Sequence, residues 1–405
     1  MNTYYGLPAD VKFCKNCVIS NQRPSSTVEF KSKSSDLKSV IDFDSDGVCS
    51  ACRFHTEKEH GIDWEKRETQ LLSLLDKHRR SDGSYDVIVP GSGGKDSAFA
   101  SHILKYKYGM NPLTVTWAPH LYTNIGFENF QNWMHVGGLD NILYTPNGDL
   151  HRAMTKNAFH NLLHPFQPFI IGQRLIGPSF AQKFGVSLVF YGENQAEYGN
   201  AIAENKNALM SMDYFSVENF KASLFGGLPL DKYLNEDKFS LGDFSPYIPP
   251  SKDSLIASNV EVHYLGYYLK WDPQECFYYA VENTGFKPNY ERTEGSYSKY
   301  SSIDDKIDPF HYFTTLIKFG IGRATYDASQ EVRNEKITRE EAMYLVEKYD
   351  TEFPSKYFSE FLDYIDTTES KFWETVEKFR SPHLWKKVNS DWKLRHTVNL
   401  SGVDD

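Results

Sequence analysis

Residues 92–97 read Ser-Gly-Gly-Lys-Asp-Ser, and their setting limits the possible fold more than any other stretch of the chain. The apolar run Tyr85-Asp-Val-Ile-Val-Pro90 precedes them, and the helix-like stretch Ala98-Phe-Ala-Ser-His-Ile-Leu-Lys105 follows. The order is strand, glycine turn, helix. Paired glycines admit positive φ and let backbone approach a ligand closely. The N–H groups of such a turn and of the helix start converge on an anion. Ser92 and Ser97 add hydroxyl donors, Lys95 adds a cation, and Asp96 adds a carboxylate able to hold Mg²⁺ against phosphates. The spacing is not Gly-x-x-x-x-Gly-Lys-Ser/Thr, because both glycines directly precede the lysine and an aspartate follows it. The plainer reading is a glycine turn joining a strand to a helix.

The surroundings repeat the strand–helix alternation. Strand-like runs fall at 86–90, 113–117, 141–144 and 187–191, and helix-like segments near 63–80, 97–108, 126–136, 149–163 and 172–184. This spacing predicts βαβ units and a parallel sheet, whose ligands lie at the carboxyl ends of the strands. The fourth strand ends in Tyr191-Gly-Glu-Asn-Gln-Ala-Glu-Tyr-Gly199. Glu193, Asn194 and Glu197 would there face the same crevice as residues 92–97, or form a solvated acidic turn. Residues 200–260 are rich in Asn, Ser, Asp, Gly and Pro and are expected to be an insertion or lid. Residues 291–306 read as a polar, aromatic loop. Lys318-Phe-Gly-Ile-Gly-Arg323 sets two cations around two glycines, either a second phosphate grip or a charged turn. Thr338-Arg-Glu-Glu opens a helix with a capping box, and further helices are expected from 351 on.

Four of the five cysteines form two C-x-x-C pairs, Cys14/Cys17 and Cys49/Cys52. Two such knuckles complete a tetrahedral thiolate site, and structural Zn²⁺ is the expected occupant. Disulfides and a redox pair are the alternatives, and both suit other contexts better. His55 and His60 lie nearby, but four thiolates already close the shell. Cys276, among aromatics, reads as a buried apolar residue. The domain boundaries expected are 1–60 for the cysteine module, 61–330 for the α/β domain and 331–405 for a helical C-terminal region.

Composition excludes several classes. With 44 basic and 54 acidic residues the net charge is −10, which argues against a broad nucleic-acid footprint. No run approaches the roughly 18 apolar residues of a membrane span, and the N-terminus lacks the pattern of a signal peptide. A cytoplasmic protein that does not enter membranes is expected. The 26 Tyr, 28 Phe and 7 Trp supply ample core.

Ser92–Ser97 resembles the loop of the PP-loop ATP pyrophosphatases, which cleave ATP between its α- and β-phosphates. The resemblance implies an adenine nucleotide α-hydrolase-like parallel-sheet domain carrying an N-terminal zinc-binding module and a helical C-terminal region. It becomes narrower when the cysteine module, Gly192-Glu-Asn…Glu-Tyr-Gly199, Arg292-Thr-Glu-Gly-Ser-Tyr-Ser-Lys299 with Asp304-Asp305, and Lys318–Arg323 are taken together. Over roughly residues 10–350 the chain then resembles the N-acetyl sugar amidotransferases (WbpG- and PseA-like) of lipopolysaccharide O-antigen and flagellin-glycan biosynthesis. That family implies conversion of an acetamido group on a nucleotide-linked sugar into an acetamidino group through an O-adenylated intermediate. ATP would be bound by Ser92, Gly93, Gly94, Lys95, Asp96, Ser97 and Arg323. Lys95, Asp96, Glu197 and Lys318 would be catalytic, with Mg²⁺ on Asp96 and Glu197. Glu193, Asn194, Arg292 and Lys299 would hold the sugar nucleotide.

Position 2 is Asn, and no Cys-His-Glu glutaminase triad is evident. The resemblance therefore implies ammonia from a separate glutaminase subunit, with a cyclase-like channelling protein between them. The alternatives are a PP-loop tRNA-thiolating enzyme, which would want reactive cysteines in its core, and a non-enzymatic nucleotide-binding module.

Overall fold

The computed structural model describes residues 2–200, 207–236 and 239–399. After an irregular cysteine-bearing segment the chain forms helices α1 (Ser50–His60) and α2 (Trp64–His78). An alternating series follows: β1 (Val87–Pro90), α3 (Lys95–Tyr106), β2 (Pro112–Trp117), α4 (Asn124–His135), β3 (Asp140–Tyr144), α5 (Gly148–Leu162), α6 (Gln167–Phe184) and β4 (Leu188–Tyr191). A small ribbon, β5 (Leu224–Phe225) with β6 (Leu228–Pro229), precedes a fifth sheet strand, β7 (Glu261–Tyr264).

The sheet runs β3-β2-β1-β4-β7, all parallel, with Ile88 opposite both Leu113 and Val189. The chain winds outward from β1 to β3, then crosses back to place β4 on the other side of β1. That reversal opens a crevice between the carboxyl ends of β1 and β4, where ligands of such sheets bind. The expected α/β architecture, cysteine segment and helical C-terminal region are all present.

Both faces of the sheet are covered, and strand alternation divides the side chains. Ile88, Leu113, Val115, Val189 and Val262 join α5 and α6 in one cluster, through Leu150, Met154, Ile171, Leu175 and Ile176. Val87, Val89, Leu188 and Phe190 point the other way, toward Leu71 and Leu75 of α2 and Ala100, Ile103 and Leu104 of α3. α6 lies hard against the sheet. A Cβ on Gly172 would come 2.0 Å from the Trp117 ring, and one on Gly177 would come 2.7 Å from Pro90.

Several details differ from expectation. Strand β7 follows directly on the polar 200–260 stretch and was not among the four expected strands. The described part of that stretch is an insertion between β4 and β7. Phe215, Phe225, Leu230, Phe244 and Tyr247 anchor it in the core beside α5 and α6, and none of its residues lines the cleft described below. The tail is not wholly helical. After Arg339–Tyr349, Phe358–Tyr364 and Glu369–Phe379 come β8 (Trp385–Val388) and β9 (Asp391–Leu394). Asn389 and Ser390 between them both take positive φ, at 50° and 75°, as a tight two-residue hairpin requires. Nor does the chain divide at 330/331, because that position lies inside the helix Arg323–Arg333. The preceding helix, Asp308–Phe319, stacks Phe310 on Phe361 with ring centroids 4.3 Å apart.

Candidate active site and four-cysteine centre

Three stretches distant in sequence meet at the β1/β4 crevice. They are the loop after β1, the turn after β4 and the segment 298–331, and they enclose a cleft of about 470 Å³. Ser92, Gly93, Gly94, Lys95 and Asp96 form one wall. Gly93 has φ +84°, and a Cβ there would lie 2.9 Å from the Phe130 backbone. Gly94 has ordinary backbone angles and serves as N-cap of α3. Ser97 faces inward, donating its hydroxyl to Gly94 O at 3.0 Å. The start of α3 thus presents its free N–H groups to the cleft.

The electrostatic centre is Lys95, Asp96 and Glu193. Lys95 Nζ lies 2.5 Å from Asp96 Oδ2, and Trp271 Nε1 donates to Asp96 Oδ1 at 3.0 Å. Glu193 shares the cleft with them. Burial and the adjacent Asp96 push its carboxyl up to about 7, while Lys95 and the Tyr198 hydroxyl oppose the rise. Two carboxylates against one ammonium form a hard oxygen donor set of the kind that suits Mg²⁺.

The rest of the lining is rich in acidic groups. Asp304, Asp327 and Glu331 belong to it together with Arg323. Arg323 Nε lies 3.1 Å from Asp327 and its guanidinium sits 4.3 Å from the Tyr312 ring centre. Burial raises the Asp304 carboxyl, opposed by a hydrogen bond from Ser92. Asp308 is pushed up to about 7 by burial, against the pull of Arg323.

Of the residues expected in the site, Ser92 to Asp96, Glu193 and Arg323 meet in the cleft. Others have different work. Glu197 is no partner of Asp96: it is buried and paired with Lys58 of α1 at 3.1 Å, and its backbone carbonyl accepts from Arg333 at 2.9 Å. Asn194 is buried as the cap of the following turn, accepting from Ala196 N at 3.1 Å. Arg292 makes a two-pronged pair with Glu352 at 2.6 Å. Lys299 donates to Tyr290 O at 3.0 Å. Lys318 is buried and donates to Leu162 O at the carboxyl end of α5, and burial with nearby Lys38 lowers its pKa to about 7. None of these five lines the cleft. Lys318 and Arg323 are parted because Gly320 ends one helix in the left-handed conformation and Arg323 begins the next.

Residues not singled out as site residues also reach the cleft: Tyr198 and Ser298, inside the quoted motifs, and Arg23, Tyr312 and Gln330, which carry no sequence signal. Arg23 is the least expected, since it belongs to the cysteine-bearing segment.

The four cysteines converge. All are buried, with sulfur atoms within 4.8 Å of one another. Cys14–Cys52 and Cys17–Cys49 are each 3.8 Å apart, too far for disulfide bonds, whose S–S length is about 2.05 Å. A tetrahedral ion with metal–sulfur bonds of about 2.3 Å has sulfur–sulfur edges of about 3.8 Å, so the cluster fits one metal ion. Cys17 N and Cys49 N both donate to Cys14 Sγ, and Arg333 lies 3.9 Å from Cys17 Sγ. The cluster packs on Ile321 and, through Val18, on Ala328 and Ala342.

The fold is a doubly wound parallel sheet of the α/β class, with a glycine-rich loop at its switch point and carboxylates in the same cleft. The C-terminal part is more particular: residues 294–399 match the family described as "LPS biosynthesis protein WbpG-like, C-terminal domain". An uncharacterised protein of Methanocaldococcus jannaschii is 32% identical over 81 residues, which are 20% of this chain and 28% of that protein. The chain thus spans little more than a quarter of that relative's length.

Among solved structures, the NH3-dependent NAD synthetase of Campylobacter jejuni aligns with a TM-score of 0.28 and 16% identity, covering 34% of this chain and 59% of that one. The NMN synthetase of Francisella tularensis gives 0.30 and 12%, covering 70% and 96%. The U34-tRNA thiolase of Methanococcus maripaludis, solved with its [4Fe-4S] cluster, gives 0.30 and 14%, covering 70% and 81%. Among the described residues no helix is long and apolar enough to cross a membrane.

Proposed function

We propose that this protein is an ATP-dependent amidotransferase of lipopolysaccharide or related surface-glycan biosynthesis. It converts an acetamido group of a nucleotide-linked sugar into an acetamidino group. The observation that carries the reading is the triad Lys95, Asp96 and Glu193 at the mouth of Ser92–Ser97, enclosed by the WbpG-like segment.

An amide carbonyl is a weak electrophile and its oxygen a poor leaving group. Attack of that oxygen on the α-phosphorus of ATP forms a P–O bond and expels pyrophosphate. Ammonia then adds to the imidate carbon, and AMP departs with the former amide oxygen. The N–H groups at the start of α3, Ser92 and Lys95 are placed to hold the departing pyrophosphate, and this fixed array lowers the cost of the charge that develops. Asp96 and Glu193 would hold Mg²⁺, which supplies charge neutralisation on the phosphates. The product amidine is a cation where the amide was neutral, and Asp304, Asp327 and Glu331 in the cleft lining would supply matching negative charge. The enclosed cleft aligns acceptor, phosphorus and ammonia.

Ammonia comes, on this reading, from a separate glutaminase, with a cyclase-like subunit as conduit. The ion in the four-cysteine centre is Zn²⁺ in a structural role. The test is incubation with ATP, Mg²⁺, ammonium and a panel of CMP- and UDP-linked diacetamido sugars. One substrate is expected to lose about one mass unit, as O gives way to NH, with stoichiometric AMP and pyrophosphate. Absence of AMP and of any mass change across the panel rules the reading out, and turnover that requires tRNA turns it toward thiolation.

A further inference from the structure

Arg23 is 8% exposed and has no carboxylate partner among the described residues, although Tyr326, Cys49 and Tyr198 nearby favour its charge. Its Nη1 donates to the neighbouring Pro24 carbonyl at 3.2 Å, and its guanidinium faces the Tyr326 ring at 5.8 Å. Of the other buried arginines, Arg380 holds Glu377 at 3.1 Å, while Arg333 is taken up by Glu197 O at 2.9 Å and by Cys17 Sγ at 3.9 Å; Arg323, at the cleft edge, holds Asp327 at 3.1 Å. Burying a cation without a counter-charge costs several kcal/mol. Burial and the nearby Arg333 accordingly weaken its hold on its proton. The backbone is nonetheless fixed there. Ile41 N donates to Arg23 O at 2.8 Å, and Arg23 N to Ser20 O at 3.3 Å, while the next residue, Pro24, bridges to Val40. The side chain lines the same cleft as Ser92–Asp96.

We propose that Arg23 is a ligand of the polyphosphate bound in this cleft, reaching it from the cysteine-bearing segment. The inference rests on the reading of the cleft as a nucleotide site. It gives the four-cysteine centre a second consequence: by tying residues 14–52 into one knot, the centre holds an anion-binding guanidinium against the phosphate loop. Arg23 thereby takes the role that Arg292, Lys299 and Lys318 do not fill. Arginine suits it, since its planar fork grips phosphate oxygens in pairs.

The test is calorimetric titration of the full-length, metal-loaded protein with MgATP and, separately, with magnesium pyrophosphate. Arg23→Met and Arg23→Lys are compared with the unaltered chain, and metal content and thermal midpoint are followed in each. Arg23→Met is expected to weaken both ligands by about 10- to 100-fold, the scale of one lost charge-assisted contact, with the metal retained. Arg23→Lys is expected to recover part of that loss. Unchanged affinity for both ligands overturns the proposal, as does a loss that tracks release of the metal in both variants. If the unaltered chain binds pyrophosphate but not ATP, and Arg23→Met weakens the pyrophosphate, the nucleotide reading falls and the role of Arg23 stands. If it binds neither, both fall.

Discussion

Gly93 and Gly94 are neighbours with different duties. Gly93 sits at φ +84° with Phe130 backbone where a Cβ would go, so Gly93→Ala is expected to cost roughly 1–3 kcal/mol of stability. A Cβ on Gly94 would meet only Ser92 Oγ, at 3.7 Å. Gly94→Ala should therefore keep its denaturation midpoint and instead lose ATP affinity, because the methyl group enters the anion cradle. Urea titration and ATP binding separate the two. Glu193 carries a second prediction. Its folded pKa is raised to about 7 from 4.5, so between those values the native state holds a proton that the unfolded chain has lost. Stability then declines as pH rises through that window. Glu193→Gln removes the penalty and is expected to gain roughly 1–3 kcal/mol near pH 8 and nothing near pH 4, while ATP cleavage falls. Denaturation at the two pH values checks the sign. The hexapeptide was legible because all its chemistry is local. Glu193 and Glu197 were indistinguishable in sequence, and only the Lys58–Glu197 pair shows which of them turns away from the cleft.

At the scale of elements, that pair joins α1 to the turn after β4. Lys58 Nζ also donates to Trp271 O and Asn334 Oδ1, both at 3.0 Å, so one ammonium fastens four parts of the chain. Lys58→Met leaves Glu197 buried without its partner and is expected to destabilise by about 3–5 kcal/mol. The double variant Lys58→Met/Glu197→Met should recover most of that, as guanidinium denaturation would show. Were Glu197 a ligand of the nucleotide's metal, Lys58→Met would instead act on Mg²⁺ dependence. The four cysteines form a second fastening. Chelation in mild denaturant is expected to free four thiols with a matching drop in thermal midpoint, read by thiol titration. Strands β1 to β4 were legible because their apolar runs alternate with helices of regular period. Strand β7 was hidden, since Glu261-Val-His-Tyr is short and half polar, and it becomes a strand by pairing with β4. The β8–β9 hairpin was hidden by its Asn-Ser turn, a weaker signal than Asn-Gly.

At the scale of the molecule, one core joins residues from all three divisions expected from sequence. The main core runs from Leu7 and Phe30 through the sheet to Phe361, Phe372 and Trp385. A chain ending at residue 330 would expose Phe310, Phe313 and Leu316, and is expected to show no cooperative unfolding transition by circular dichroism, whereas the whole chain shows one. The cleft follows the same logic. Its glycine loop, residues 92–97, is contiguous and was readable, but the rest of its lining comes from segments whose side chains are ordinary until folding brings them together. That assembly has a consequence for biosynthesis. Arg23 and its neighbour Tyr326 are separated by most of the chain, and at 5–20 residues per second a ribosome needs roughly 15–60 s to bridge that interval. For most of it, the four cysteines and Arg23 are already synthesised ahead of the helices that later bury them. A metal ion that this cluster could hold would therefore find its ligands made before the far side of the cleft, and its shortage would act on chains whose sheet can finish before the mouth does.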